Sequence, residues 1–217
     1  MAARLLIKSA GRGQQLRLRA IVVRKIDKDQ LRKRAHLLRN DSAHGPFKGS
    51  VVEDYDNMEL IINGQRVKFI AANNPEDIDY TAHGINDALI IDNTGVFKDK
   101  TALSRHLQSK GVSKVLLTAP GKEIPNIVYG VNHKSIDLDS KDIISAASCT
   151  TNAIVPVLKV IHDNLGVSKG HIETVHAYTN DQNLIDNYHS ASRRGRSAAL
   201  NMVITETGAA TAVGKVL

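Results

Sequence analysis

The 217 residues contain one cysteine, Cys149, and its neighbours suit a reactive thiol. The run Ala147-Ser148-Cys149-Thr150-Thr151-Asn152 follows a short apolar segment, residues 143–147. It precedes a helical pattern of Ile154, Val157, Leu158, Ile161 and Leu165. That spacing places the thiol at the first turn of a helix, where backbone N–H groups lack partners and the helix dipole is positive. A helix N-terminus favours a thiolate, the nucleophilic form of cysteine. Free cysteines are more often buried and inert. Here, however, Ser148, Thr150, Thr151 and Asn152 are residues of helix starts, which a purely structural cysteine does not need. A thiolate nucleophile also wants a proton-accepting partner. Of nine histidines, His176 is the candidate. It lies inside an apolar alternation (Ile172, Thr174, Val175, Ala177) that runs into the polar Tyr178-Thr179-Asn180-Asp181. His44, His133, His162 and His189 stand in polar or loop settings without such a signal.

Positioning these residues requires a frame, and the first half of the chain supplies an alternation of helix and strand patterns. Residues 2–10 predict a helix, 16–23 a strand and 29–39 a basic helix. Two short strands, 58–62 and 65–71, are joined by Asn63-Gly64, a hairpin turn signal. Residues 88–91 and 114–117 read as fully buried strands, with a helix over 101–109 between them. Buried apolar runs separated by helices predict an α/β fold with a parallel sheet covered on both faces. In the second half, the Cys149 helix is expected to end near Gly166. A long strand over 171–178, an aperiodic polar stretch over 179–197 and a small-residue run, Thr207-Gly208-Ala209-Ala210, follow. A domain boundary is expected near residues 147–149.

Two strand ends carry turns that could contact a ligand, since the crevice of an open α/β sheet lies beyond the carboxyl ends of its strands. They are Asp92-Asn93-Thr94-Gly95 and Thr118-Ala119-Pro120-Gly121. Gly11-Arg12-Gly13 opens like a phosphate-binding G-x-G-x-x-G loop. Leu16 stands where the third glycine belongs and a strand pattern follows, so it reads as a helix stop.

Composition narrows the function classes. Hydrophobic residues make up 42% and charged residues 24%, ordinary for a globular protein. No apolar run is long enough for a membrane span, the first residues have too short an apolar core for a signal peptide, and one cysteine permits no internal disulfide. A cytoplasmic protein without a metal site is expected. The formal charge of +7 is spread along the chain and aromatics are only 4%, so nucleic acid is not expected as the primary partner. An anionic small molecule accounts for the charge equally well.

Three motifs together resemble one family. They are Ser148-Cys149-Thr150-Thr151-Asn152, then residues 174–182 (Thr-Val-His-Ala-Tyr-Thr-Asn-Asp-Gln), then Thr207-Gly208-Ala209-Ala210. In this order and spacing they resemble the phosphorylating glyceraldehyde-3-phosphate dehydrogenases. Asp41-Ser42-Ala43-His44-Gly45 and Asn93-Thr94-Gly95-Val96-Phe97 resemble that family's cofactor domain, and Arg193-Arg194-Gly195-Arg196 its long inter-subunit loop. The resemblance implies a Rossmann-type NAD(P)-binding domain over 1–147 and the first part of an α+β catalytic domain over 148–217. It implies Cys149 as nucleophile and His176 as its proton partner. Ser148, Thr150, Thr207 and Gly208 would hold inorganic phosphate, and Thr179 and Asp181 the substrate phosphate. Asn93, Thr94, Gly95 and Thr118 would meet the cofactor. The implied assembly is a homotetramer.

Departures from the family pattern qualify these expectations. The glycine-rich loop after the first strand is missing, and the catalytic domain of the family continues past Leu217. The chain is therefore read as a fragment, inactive alone. Arg24 and Lys25 stand where NAD-preferring members carry an acidic residue, and basic residues there suit a 2′-phosphate, so NADP joins NAD as an expected cofactor. Ala153 replaces the second cysteine of many members. The alternatives are an erythrose-4-phosphate dehydrogenase, which would share Cys149 and His176, and an inactive fragment with incidental anion or nucleic-acid binding.

Overall fold

The computed structural model describes residues 2–9 and 16–217; Gly11-Arg12-Gly13 lies outside the described residues. The chain divides into two compact units, one of Met1–Ala88 with Arg105–Ser113, the other of Leu89–Ser104 with Lys114–Leu217.

In the first unit the elements are α1 (Ala2–Ser9), β1 (Ala20–Val23), α2 (Lys28–Arg39), β2 (Val51–Asp54), β3 (Glu59–Ile62) and β4 (Gln65–Ala71). The strands form one sheet in the order β1-β4-β3-β2. β1 runs parallel to β4, whereas β2, β3 and β4 form an antiparallel meander. The expected hairpin is present, and Asn63 (φ 50) and Gly64 (φ 79) both take the left-handed conformation its tight turn requires. α2 starts where Asp27 accepts the Gln30 N–H at 2.8 Å. Its Leu31 and Ala35 are fully buried in a core with Leu60, Ile62, Val67 and Phe69. Arg4 joins α1 to this unit by donating to Leu38 O and Gly45 O.

Two expectations change here. The strand predicted over 16–23 is paired only over Ala20–Val23, which lie beside Lys68–Ala71 of β4. β2 was not foreseen, since four residues flanked by polar segments show too little alternation to stand out.

The remaining elements are β5 (Ala88–Asp92), α3 (Lys100–Ser104), β6 (Val112–Leu117), β7 (Ile143–Ser145), α4 (Cys149–Leu165) and α5 (Ala209–Val216). The strands pair in the order β5-β6-β7, with β6 and β7 parallel. Val115 and Leu117 of β6 are buried, but their neighbours are only partly so, and β5 is half-buried except at Asp92. These strands were expected to be buried throughout. The helix expected over 101–109 is α3 followed by a 3-10 turn, Arg105–Gln108. α5 packs against α4: Val213 and Val216 lie on a small core of Val128, Ala147 and Val155.

The long strand expected over 171–178 is absent, and those residues are mostly exposed without strand pairing. An extended segment becomes a strand only when its backbone groups find a partner ladder. Among the described residues no strand follows β7, so no later strand offers that edge. No described helix is long and apolar enough to cross a membrane. Among the described residues, no group of three or more His, Cys, Asp or Glu could hold a metal ion.

Candidate functional site

The turn between β7 and α4 presents the thiol. Ser145 ends β7, with its N–H on Pro125 O at 2.9 Å and its C=O accepting the Ile127 N–H at 2.8 Å. Ala146 N–H then donates to Leu117 O at 2.9 Å, at the end of β6. Ala147 turns the chain with φ +58, a left-handed conformation that costs an L-residue about 1–2 kcal/mol. Ser148 caps α4: its Oγ accepts the Thr151 N–H at 2.9 Å and lies 2.6 Å from Thr151 Oγ1. Asn152 locks the same turn from inside the helix by donating to Ala146 O at 2.8 Å and Ser148 O at 2.9 Å. The polar residues around the cysteine therefore build the helix start, as their types suggested.

Cys149 is the first residue of this 17-residue helix, free and exposed. Its Sγ lies 3.9 Å from Thr150 Oγ1. The thiol thus faces solvent at the start of a long helix.

His176 stands in the exposed, unpaired stretch, and among the described residues no hydrogen bond joins it to Cys149. Thr179 and Asp181 lie just beyond. Thr179 Oγ1 accepts the Asp181 N–H at 3.4 Å, and Asp181 pairs with Arg194 and, at 3.8 Å, with His189. Arg196 and Asp186 form a second ion pair at 2.6 Å, so this polar loop is closed upon itself. Thr207 and Gly208 precede α5, where Thr207 Oγ1 accepts the Ala209 N–H at 3.3 Å. Through the contact of α5 with α4, the structure brings the element that follows Thr207 and Gly208 against the one that carries Ser148 and Thr150.

The candidate cofactor turns rest on Asp92, which the sequence placed in the first of them without a role of its own. Asp92 is 2% exposed. Its carboxylate accepts both the N–H and the hydroxyl of Thr94 at 2.9 Å, and its C=O accepts the N–H and hydroxyl of Thr118 at 3.0 and 3.1 Å. Thr118 thereby sits beside the Asn93-Thr94-Gly95 turn, and Gly95 takes a left-handed φ of 75. All four residues are exposed at the ends of β5 and β6. The Asp-x-Thr spacing of an Asx turn was the available signal for Asp92. In the first unit, Arg24 and Lys25 follow β1, both exposed, with Lys25 paired to Asp27 at 3.6 Å. Two shallow depressions, of about 290 and 490 Å³, are lined by Lys28, Asp29, Arg32 and Tyr55 and by residues of the 36–46 segment. Neither contains Cys149, His176 or a residue of the 93–95 and 118 turns; the second includes Asp41, Ser42 and Gly45 of the segment likened to the cofactor domain.

Comparison with known proteins identifies the pattern. Residues 3–100 match the family model described as the glyceraldehyde 3-phosphate dehydrogenase NAD binding domain, and residues 148–217 match its C-terminal domain. The chain belongs to the glyceraldehyde-3-phosphate dehydrogenase family. A glyceraldehyde-3-phosphate dehydrogenase-like protein of Pseudomonas aeruginosa is 59% identical over 218 residues, covering 100% of this chain and 47% of that protein. A glyceraldehyde-3-phosphate dehydrogenase from another strain of the same species is 44% identical over 184 residues, 84% of this chain and 53% of its own length. Glyceraldehyde-3-phosphate dehydrogenase 2 of Nostoc sp. is 44% identical over 192 residues, 88% of this chain and 56% of its own. The chain thus spans about half the length of these dehydrogenases. Residues 93–95 and 118 are exposed at strand ends, where an open α/β sheet takes a dinucleotide, although the Thr94 and Thr118 hydroxyls already donate to Asp92.

Proposed function

We propose that the chain serves the oxidation of glyceraldehyde 3-phosphate, with hydride passing to NAD or NADP and the acyl group to inorganic phosphate. The observation that carries this reading is Cys149, exposed at the start of α4 behind the left-handed Ala147 and inside a capped first turn. In this reading the Cys149 thiolate attacks the aldehyde carbon and forms a thiohemiacetal. The Cys149 backbone N–H, at the helix start, helps hold the developing oxyanion. His176 takes the hydroxyl proton as the carbon is oxidised to a thioester. The nicotinamide, when bound, supplies the hydride acceptor.

Ser148, Thr150, Thr207 and Gly208 hold the attacking inorganic phosphate, and Thr179 the substrate phosphate, with Asp181 placing Thr179 through its N–H on Thr179 Oγ1. Hydroxyls and backbone N–H groups are suitable partners for such oxygens. Asn93, Thr94, Gly95 and Thr118, with Arg24 and Lys25, hold the dinucleotide. The division of labour follows a cofactor part over 1–147 and a catalytic part over 148–217, acting in the cytoplasm within a homotetramer.

The test uses the chemistry of the thiol. Glyceraldehyde 3-phosphate is expected to protect Cys149 of this chain from iodoacetamide, as a thiohemiacetal blocks alkylation. Glyceraldehyde without the phosphate should protect far less. Equal protection by the two would remove the substrate-phosphate site, and stronger protection by erythrose 4-phosphate would turn the reading to that substrate.

A further inference from the structure

One buried hydroxyl outside the residues assigned above joins two turns of the candidate site. Ser145, the last residue of β7, has no exposed surface. Its Oγ accepts the Ala147 N–H at 3.0 Å. Its single proton faces Ala119 O at 2.6 Å and Asn126 Oδ1 at 2.9 Å. Asn126 is held from all sides. Its Nδ2 donates to Gly121 O at 3.0 Å and Ile124 O at 3.2 Å, and its Oδ1 accepts the Gly121 N–H at 3.0 Å. Its own carbonyl accepts from Asn132 Nδ2 at 2.9 Å. Packing adds to the constraint: a Cβ on Gly121 would lie 2.2 Å from Ile124 Cδ1 and 3.2 Å from Ser145 Cβ.

The hydroxyl therefore bridges the turn that carries Thr118 and the turn that carries Ser148 and Cys149. A left-handed alanine persists only where its surroundings over-determine it. At Ala147 the direct constraint is the Ser145 hydroxyl, since that oxygen takes the alanine's only backbone donor.

We propose that Ser145, oriented by Asn126, is a positioning residue for Cys149. Its hydroxyl holds Ala147 in the left-handed conformation and so sets the direction in which the first turn of α4 presents the thiol. This rests on the reading of Cys149 as nucleophile. The requirement is chemically narrow. One small group must accept from one turn and donate to the other, in a space without exposed surface. Alanine would leave Ala147 N–H, Ala119 O and Asn126 Oδ1 without that partner, and threonine would add a methyl group to a filled site.

The test compares Ser145→Ala, Ala147→Gly and the double variant of this chain by amide hydrogen exchange over residues 146–151 and by the pH profile of Cys149 alkylation with iodoacetamide. Ser145→Ala is expected to speed exchange at Ala147 and the first turn of α4 roughly tenfold, the scale of one lost buried hydrogen bond. It should slow alkylation by a similar factor. Adding Ala147→Gly should restore the alkylation rate and the protection of residues 148–151, because glycine occupies a positive φ freely. The amide of residue 147 itself should stay fast. If Ser145→Ala unfolds the chain, Asn126→Ala keeps the hydroxyl but frees its orientation, and smaller changes of the same sign are expected. Unchanged exchange and alkylation in these variants, or no restoration by glycine, overturns the proposal. Alkylation of the unsubstituted chain no faster than free cysteine would instead sink the nucleophile reading, and the exchange data alone would then decide the positioning role.

Discussion

Cys149 and His176 are chemically complementary, yet the chain treats them differently. The thiol is held by a capped turn, a strained alanine and two side-chain bonds from Asn152. The imidazole lies on an exposed stretch without strand pairing. If the two nonetheless form an ion pair, His176→Asn should slow the reaction of Cys149 with iodoacetamide near neutral pH. Identical rates for the two proteins would show that the thiol gains its reactivity from the helix start alone. The cysteine was legible in sequence because its neighbours are themselves helix-start residues, so local preference and local structure coincide. Ser145, and the bond between Asp92 and Thr118, were not legible. Each acts through partners 19 to 26 residues away, and spacing within one segment carries no trace of such pairs.

At the scale of elements, the β2–β3–β4 meander offers a test by acid. Asp54 accepts from Asn57 and Arg66, and these bonds hold its carboxyl well below the usual carboxylate range, at about 2. A carboxylate depressed on folding stabilises the protein fully above its unfolded value and loses that contribution as pH falls through the folded one. Stability should therefore decline between about pH 4 and pH 2. Arg66→Ala should flatten that slope, since the folded and unfolded values of Asp54 then approach each other. Thermal melts across the window measure it, and an unchanged slope would remove Arg66 from the account. Elements were legible where they are closed locally. The Asn63-Gly64 turn, α2 behind Asp27 and α4 behind Ser148 needed only neighbouring residues. The strand over 171–178 failed because alternation states a preference for two faces and says nothing about whether a partner edge exists.

For the whole molecule, large apolar side chains lie open along two segments of the second unit. Val157, Val160 and Leu165 of α4 are 58%, 63% and 83% exposed, and Leu200, Met202 and Ile204 are 77% or more. Surfaces of this kind mark contacts with further protein. The tetramer proposed above therefore predicts self-association, and sedimentation velocity should show species heavier than the 23.6 kDa monomer. A single monomeric boundary at all concentrations would end that proposal for this chain. Family membership, the helix that starts at Cys149, the hairpin and the α/β class were determined by the sequence itself. Each is written in contiguous residues whose preferences agree with their final structure. Only tertiary structure decided that Ser145 and Asn126 join two turns, that Asp92 holds Thr94 and Thr118 together, and that residues 171–178 form no strand. Hydrogen bonds between distant segments exist only once the chain has brought those segments together, and their partners are chosen by geometry rather than by proximity in sequence.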